Sequence, residues 1–459
     1  MKAFRYILVF TLSVRRTVFA LSALCAVSLA MQAQDYSRMA ERTINGTARY
    51  VGMSGAMSAI GGDPTAVYDN PAGLGLYRRM EIMLTADGAF DRTRQYTSDG
   101  FINSSKRNRG MLAQASFVFS LPTYRADDDG VQFHNLMFSY QRLHSFHRSM
   151  VGSGLKDPSL GALLASSSVN WDIPFCSDRS TASDYLQLRE AGYINEYGVD
   201  YAMNIKNQWY VGLGLRMQSY MLSADANYVE AFTATNTEGK AFANENKTTL
   251  LYSGTTAHLA AGLIYRPTRW LRLGMGLTTP TIGTLRIYST GTLYAQTDSL
   301  RASYAPDGAS TDREFHMPLH LSSSVAFQFG AYGLIGLQYD YRHGAYIHDQ
   351  HSMRVGLEVV PIVGLYLNAG YAFESTFSKD KIVSMDPTFD RQDTYFLNPQ
   401  WTQYASFGIG YRGQYVIFQA AYQYRWQRIN LYAHENITAP YNMHTDTHRI
   451  VFTIAWHQW

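Results

Sequence analysis

The sequence predicts an all-β fold, a transmembrane antiparallel β-barrel of about 14 strands whose lumen is plugged by an N-terminal hatch. Three observations support this prediction. Hydrophobic residues make up 46% of the 459 residues but charged residues only 16%, against about 25% in a typical soluble domain. Aromatic residues reach 14%, led by 34 Tyr. From residue 80 onward the side chains alternate with a period of two, as expected of a wall between lipid and lumen.

Residues 1–33 form a predicted secretory signal peptide. Their basic residues end at Arg16, an apolar stretch follows, and Ala33 precedes polar sequence, which is the order expected of an export signal. Without this segment the chain has 35 basic and 36 acidic residues, so no basic stripe indicates a nucleic-acid partner. Cys25 lies in the signal, and the single thiol of Cys176 allows neither an internal disulfide nor a cysteine-based metal site.

No later segment is long enough to cross a membrane as a helix, which needs about 20 apolar residues. A closed barrel is the other solution, because it pairs every backbone polar group within lipid. The alternation is clear in the last segment, where Ile450, Phe452 and Ile454 alternate with other side chains. The candidate strands are 80–90, 111–121, 131–142, 192–204, 208–223, 248–266, 269–295, 314–329, 331–342, 351–360, 363–374, 401–412, 414–427 and 446–457.

The predicted connections alternate between short and long, as periplasmic turns and external loops do in such barrels. An even number of strands then places both termini in the periplasm. The barrel is predicted to cover residues 80–459 and to be integral to the outer membrane of a Gram-negative cell. The long connections are predicted at 91–110, 143–191, 224–247, 296–313, 375–400 and 428–445.

Residues 34–79 differ from the rest because they contain no clean strand and many small residues. Small residues let backbones pack closely, and glycine allows a positive φ. The run 69–73, Asp-Asn-Pro-Ala-Gly, is a strong turn signal. This segment is predicted to fold into the lumen as a hatch, since a barrel of 14 strands is wide enough to need filling.

The runs 48–56 and 63–74 resemble the hatch of the FadL-type outer-membrane transporters of long-chain fatty acids and other hydrophobic compounds. In that family a small-residue stretch leads into an Asn-Pro-Ala motif, matched here by Asn70, Pro71 and Ala72. The resemblance implies a hatch inside a 14-stranded barrel and covers nearly the whole mature chain.

Two further segments, 277–280 and 317–319, also resemble a strand pair of this family. The family's exit route is associated with a kinked third strand. The predicted third strand, 131–142, contains no Gly or Pro that would mark such a kink. The sequence therefore leaves lateral and periplasmic exit open.

The predicted gate residues are Asn70, Pro71, Ala72 and Gly73. Asn70 is expected to be the key polar residue because its amide both donates and accepts hydrogen bonds, and Pro71 is expected to fix the turn. The alternative is a turn of this shape without a gating role. Ligand-binding residues are unknown at this point, and no catalytic residue, metal site or cofactor is predicted.

Other chemistry is not favoured by the sequence. The tripeptide at 212–214, Gly-Leu-Gly, lies inside a predicted strand, which argues against a dinucleotide site. No nucleophile motif is present. The histidines come in pairs that are predicted to be solvated in or near external loops rather than to bind metal or haem. These pairs are His144 with His147, His348 with His351, and His444 with His448.

The predicted function is passive uptake of hydrophobic molecules such as long-chain fatty acids, gated by the hatch. The ligand would land on the external loops and enter an apolar pocket above the hatch. Expected partners are outer-membrane lipid, a hydrophobic small-molecule ligand and, during biogenesis, the barrel assembly machinery. Three alternatives stay open: a scaffold or secretion-system partner at the outer membrane, an outer-membrane enzyme, and a hydrophilic pore.

Overall fold

The computed structural model describes most of the chain after the predicted signal peptide. Cys25, Cys176 and the middle of the predicted loop 143–191 lie outside the described residues, as does the signal peptide apart from Ala33. The described ranges are 33–97, 100–123, 130–154, 182–232, 243–296, 301–305, 307–317, 319–343, 348–377, 395–433 and 440–457.

Four short helical segments precede the first strand, and the strands then follow one another without interruption by helices in the described ranges. The helical segments are α1 Ala33–Ala40, α2 Ala48–Gly52, α3 Ala66–Asp69 and a 3₁₀ helix Pro71–Leu76. The strands are β1 Glu81–Thr97, β2 Gly100–Pro122, β3 Val131–Ser145, β4 Arg148–Ser153, β5 Ala182–Ile205, β6 Trp209–Phe232, β7 Ala243–Tyr265, β8 Leu271–Thr278, β9 Ile282–Gln296, β10 Arg301–Tyr304, β11 Ala309–Glu314, β12 His320–Gln328, β13 Gly333–Arg342, β14 Gln350–Ile362, β15 Leu365–Glu374, β16 Phe396–Arg412, β17 Val416–Tyr432 and β18 Tyr441–His457.

The strands form one closed antiparallel barrel. Glu81 of β1 lies opposite Val118 of β2 on one side and opposite His457 of β18 on the other, which closes the sheet. The barrel has 14 strand positions around its circumference, and three of them are made of more than one segment. β3 and β4 both pair with β5, β8 and β9 both pair with β7, and β10, β11 and β12 pair along β9 and β8. The predicted 14-stranded antiparallel barrel is therefore confirmed.

The strands extend further toward the long connections than the sequence predicts. The predicted strand 208–223 is part of β6, which continues to Phe232, and the predicted loop 91–110 is largely the paired ends of β1 and β2. The hydrogen-bonded ladder continues there although the outward residues turn polar, as at Arg92 and Lys106. The two faces keep alternating, but the outward residues are no longer apolar, so a pattern based on polarity ends before the strand does.

One predicted strand is interrupted. The segment 269–295 divides into β8 and β9 at Pro280, because proline has no N–H to donate to the ladder. The side chains of Thr279 and Thr281 form hydrogen bonds there instead. Thr279 Oγ1 accepts from Leu259 N at 3.1 Å, and Thr281 Oγ1 accepts from Met317 N at 2.7 Å. Pro318, on the facing strand, lies outside the described residues.

The outer face of the barrel carries a belt of exposed apolar side chains. Examples are Leu213, Met275, Phe407 and Phe452, each more than 60% exposed, which in water would be a large apolar surface. Trp209 and Trp270 face outward near the short turns, as expected of an interfacial girdle, whereas the aromatic side chains of Tyr210 and Tyr404 are buried inside. No helix in the described part of the chain is long and apolar enough to span a membrane.

Candidate functional site

The chain from Ser37 to Tyr77, called the plug below, lies inside the barrel. Most of its side chains are buried, and it contacts strands on opposite sides of the wall. Ala48 N donates to Thr453 Oγ1 of β18 at 2.8 Å, and the Asn70 amide reaches β7. The 3₁₀ helix packs beside the turn that joins β5 to β6, so the plug occupies the half of the lumen nearest the short turns.

Asn70 joins three parts of this arrangement. Its side chain is fully buried, and its Oδ1 accepts from Ala72 N at 3.1 Å, which caps the 3₁₀ helix. Its Nδ2 donates to Ser58 O at 3.1 Å, within the plug, and to Leu263 O at 3.3 Å, on the wall. One amide therefore forms hydrogen bonds to the turn, to the rest of the plug and to the barrel wall.

The other three predicted gate residues complete the same turn. Pro71 takes the first position of the 3₁₀ helix, where a missing N–H costs nothing, and Ala72 is fully buried. Gly73 N donates to Asn70 O at 2.9 Å, and Gly73 O accepts from Gly62 N at 3.1 Å. The structure thus brings all four residues together in one buried turn.

The wall facing the plug carries two rows of glycines, called the glycine rows below. In each row the glycines lie directly opposite one another on adjacent strands, and an added Cβ would meet the plug backbone or the Asn70 side chain. Small wall residues let the two backbones approach closely. The first row is Gly212, Gly262 and Gly276, and the second row is Gly336, Gly356 and Gly370.

Ion pairs fix the plug to the wall. Arg49 of the plug makes a two-point salt bridge with Glu358 of β14, with N···O distances of 2.6 and 2.8 Å. Arg216 of β6 donates to the carbonyl oxygens of Val67 and Tyr68, both at 2.7 Å. These carbonyls lie at the carboxyl end of α3, where a cation is favoured.

A buried acid of the plug lies at the centre of a second network. Asp69 Oδ2 accepts from Tyr50 Oη at 2.7 Å and lies 3.3 Å from both Gln338 Nε2 and Arg354 Nη1 of the wall. Burial and the neighbouring Asp69 carboxylate raise the pKa of Tyr50 well above its ordinary range. Tyr50 therefore stays a neutral donor, and the network holds the end of α3 against β13 and β14.

A third acid stabilises the inside of the plug. Asp63 is buried and accepts from Thr47 Oγ1 at 2.7 Å and from Thr65 N at 2.9 Å. Burial raises the pKa of the Asp63 carboxyl, although these hydrogen bonds and Arg49 act in the opposite direction. The carboxyl thus links the segment before α2 with the start of α3.

A cavity of about 110 Å³ lies between the plug and the upper lumen. Its lining mixes charged and polar side chains with apolar ones such as Ile44, Leu143 and Met317. Arg42 donates to Gln218 Oε1 at 3.1 Å and Arg342 donates to Gln350 Oε1 at 3.0 Å. Within the described ranges neither guanidinium forms a salt bridge with a carboxylate, so both offer positive charge to this cavity.

Above this layer lies a large cluster of buried apolar side chains, with the buried ion pair of Arg38 and Glu190 beside it. Met39 and Ala40 of the plug form the base of this cluster, to which the long-connection ends of the strands contribute, and its members are fully or almost fully buried. We call it the upper apolar cluster. Its wall members include Phe146, Met150, Leu186, Leu188, Ile194, Leu222, Leu250, Leu285, Ile287, Phe315, Leu397, Ile429 and Leu431.

The third strand position of the barrel, made of β3 and β4, separates from β2 part of the way along but stays paired with β5. The ladder between β2 and β3 ends at the pair Gln114 and Gln141. Beyond it the plug takes the place of β2. Asn45 Nδ2 donates to Arg142 O at 2.8 Å, and Thr43 N donates to Leu143 O at 3.2 Å. The sequence offers no Gly or Pro here, yet the strand is irregular, because plug side chains satisfy its backbone.

The gap that this leaves between β2 and β4 is bridged by side chains. Arg107 Nη1 donates to Arg148 O at 3.1 Å and to Glu190 O at 2.7 Å, and Ser105 Oγ donates to Ser149 O. Beside it, Phe146 belongs to the upper apolar cluster. The wall therefore has a seam closed by side chains next to the apolar part of the lumen.

The predicted histidine pairs occupy different environments. His144 is buried rather than solvated, because it lies on the inner face of β3 with its Nε2 3.3 Å from Glu41 Oε2. His444 and His448 lie on β18, not in a loop. In the ranges that the structure describes, no group of three or more His, Cys, Asp or Glu residues could hold a metal ion.

Comparison with known proteins identifies the fold. No family model matches the sequence, and no curated protein matches it. A solved FadL homologue of Pseudomonas aeruginosa is 14% identical, with a TM-score of 0.57 over 91% of this chain and 98% of that chain. The toluene transporter TodX of Pseudomonas putida is 13% identical, with a TM-score of 0.54 over 91% and 98% of the two chains.

The toluene transporter TbuX of Ralstonia pickettii is 13% identical, with a TM-score of 0.53 over 91% of this chain and 99% of that chain. The chain is thus a closed 14-stranded barrel with a filled lumen. More specifically, it has the fold of FadL and its homologues TodX, TbuX and CymD, at low sequence identity.

Sequence reasoning missed the residues that hold the plug. Arg216, Arg354 and Glu358 are single charges inside strands, and only their position on the lumen-facing register could have marked them. The glycines of both rows were visible as strand glycines, which often indicate close backbone approach. Nothing in the sequence alone indicates which strand faces which part of the plug.

Proposed function

We propose that this protein is an outer-membrane channel for passive uptake of hydrophobic molecules, long-chain fatty acids among them. Its long connections face outside, both termini lie in the periplasm, and the plug is the gate. One observation carries the proposal: the buried side chains of the upper apolar cluster, which we take to form the ligand chamber when they move apart, lie above the plug within a barrel whose exposed belt is apolar. The solved barrels of like fold include toluene transporters.

The charges between the plug and the chamber favour a ligand with an acidic head. Arg42 and Arg342 line this cavity, and the apolar cluster begins directly above it at Met39 and Met317. A guanidinium binds a carboxylate through paired hydrogen bonds. A fatty acid would therefore place its carboxylate at the cavity and its alkyl chain in the cluster.

The seam between β2 and β4 is the proposed exit. This seam is closed by side chains such as Arg107 and not by a backbone ladder. Movement of Thr43 and Asn45 would free the carbonyl groups of Arg142 and Leu143 and widen the seam. The ligand would then leave sideways without crossing the polar plug.

The test is native mass spectrometry of the detergent-solubilised barrel with hexadecanoic acid. Leu222→Gln places an amide in the upper apolar cluster, and Met221→Gln is the matched control because Met221 points outward. We expect stoichiometric binding to the wild type and the control, and clearly weaker binding to Leu222→Gln. Hexadecanol should bind more weakly than the acid, and Arg42→Gln should remove that difference.

A barrel that ignores the acid would overturn the fatty-acid version of the proposal. Equal binding to both glutamine variants would show that the chamber is not the site. An empty barrel in every condition would favour the scaffold or secretion-partner alternative.

A further inference from the structure

The outer wall carries a cluster of basic side chains near the long connections of β17, β18, β1 and β2. These residues lie at neighbouring outward positions along the strands. Arg92 lies opposite Lys106 and Asp446, and Arg94 lies opposite His444. Their side chains point outward, on the same face as the apolar belt. The cluster, called the basic patch below, consists of Arg92, Arg94, Lys106, Arg428 and His444.

Three of these cations have no acidic partner in the described part of the chain. Asp446 is engaged by Arg94, whereas Arg92 contacts only the Ser104 hydroxyl, at 3.3 Å. Arg428 lies 5.1 Å from the ring centre of Trp401. Arg92 and Lys106 are direct cross-strand neighbours, and like charges in that relation destabilise a sheet unless an anion lies between them.

An apolar groove of about 530 Å³ lies on the same strands below the basic patch. Its floor is formed by Ala86 and Ala420, and larger side chains such as Leu112, Phe418 and Phe452 line its sides. Ala86 lies six positions from Arg92 along β1, which is about 20 Å along a strand. A lipid tail lying in this groove would have its head at the patch.

Two exposed cations on the far side of the barrel are ion-paired, Lys247 with Glu245 at 3.0 Å and Arg286 with Asp312 at 2.8 Å. They provide a matched comparison for the cations of the basic patch that have no acidic partner in the described part of the chain.

We propose that this surface binds a phosphorylated, multiply acylated glycolipid of the outer leaflet, of the lipid A type. A phosphate group lies between Arg92 and Lys106, with Arg428 beside it, and an acyl chain fills the groove. Arginine and lysine suit phosphate as forked and point-charge donors respectively. The proposal rests on the membrane placement and orientation given above but does not depend on transport.

The test is native mass spectrometry of delipidated barrel titrated with diphosphorylated lipid A in detergent. The head variant Arg92→Gln/Lys106→Gln is expected to bind roughly 10- to 30-fold more weakly, since each basic residue near a lipid head contributes on the order of 1 kcal/mol. The matched control Lys247→Gln/Arg286→Gln should bind within about twofold of wild type, because its cations are already paired. Ala86→Phe, which fills the groove, should also weaken binding.

All replaced side chains face outward, so the barrel is expected to fold in each variant. Lipid A without phosphates should bind weakly and equally to the wild type and the head variant. Equal losses in the head and control variants, or equal binding of lipid A with and without phosphates, would overturn the proposal. Hexadecanoic acid binding should not change in these variants, which separates this proposal from the transport proposal.

Discussion

The side-chain oxygen of Asn70 occupies the space that a Cβ atom on Gly262 would need. The two residues come from the plug and from β7, and the Nδ2 of the same amide donates to Leu263 O, one residue further along β7. The plug therefore fits against the wall because residue 262 has no Cβ atom. This relationship allows the plug to be disturbed without changing any plug residue.

Gly262→Ala is expected to unseat the turn around Asn70 while the barrel stays closed. Overpacking of this kind typically costs about 1–3 kcal/mol. Hydrogen exchange in residues 58–76 should accelerate, and the exchange of the strands should not. Gly88→Ala is the control, because its added Cβ would have no neighbour closer than 3.9 Å. Unchanged exchange in Gly262→Ala would show that the wall does not set the plug position.

Asn70→Ala tests the gate directly. The substitution removes the cap on Ala72 N and leaves the buried carbonyl groups of Ser58 and Leu263 without this donor, at a cost of roughly 1–3 kcal/mol. We expect intermittent conductance in a planar bilayer where the wild type is silent. Asn70→Asp should be open for a larger fraction of the time, because the aspartate keeps the acceptor oxygen but places a negative charge next to two carbonyl oxygens. Silent recordings from both variants would indicate a turn without a gating role.

The seating of the plug is expected to depend on pH through Asp63. Its pKa in the seated plug lies above the ordinary value of 3.8, so the seated plug holds this proton more tightly than the released plug does. This contribution to stability is complete below pH 3.8 and is lost as the pH rises through the raised pKa. Hydrogen exchange of residues 47–66, corrected for the intrinsic effect of pH, should therefore accelerate as the pH rises through the pKa of Asp63.

Asp63→Asn is the control for this pH dependence. An amide cannot ionise, so the exchange of the same residues should lose most of its dependence on pH. An unchanged slope in this variant would mean that another group is responsible.

A disulfide across the seam should separate binding from exit. Ser105 and Ser149 are in hydrogen-bond contact across the gap between β2 and β4, and Cys176→Ser would remove the other thiol left after the predicted signal. In the Ser105→Cys/Ser149→Cys variant we expect hexadecanoic acid to bind as before. Uptake in cells should fall strongly under oxidising conditions and return on reduction. Uptake that ignores the disulfide would argue for an exit elsewhere.

The sequence predicted the barrel because the lipid-facing and lumen-facing residues alternate, as at Ile450, Phe452 and Ile454. It could not predict where strands end, because beyond the apolar belt the backbone ladder continues while the outward residues turn polar. The separation of β3 from β2 beyond Gln141 was also missed, because it depends on donors from Thr43 and Asn45, about a hundred residues earlier. Local sequence contains no record of such distant partners.

For the plug, sequence identified the turn at Asn70 but not its contacts. Asn-Pro predicts a capped turn from local chemistry, and the structure shows that turn. The partners Gly262 and Leu263 lie nearly two hundred residues away, so only the folded barrel defines them.

The two glycine rows also constrain how the molecule can assemble. The plug is made first, yet it packs against strands from β3 to β18, so it has little to fold against until the wall arrives. The barrel closes only when β18 meets β1, a pairing of the two ends of the wall, and such distant pairings form slowly. An enclosed plug cannot easily be inserted after closure. Its docking and the final pairing of β1 with β18 are thus expected to be kinetically one event, and a misfit at a single glycine would slow that event and prolong the life of an open, aggregation-prone sheet.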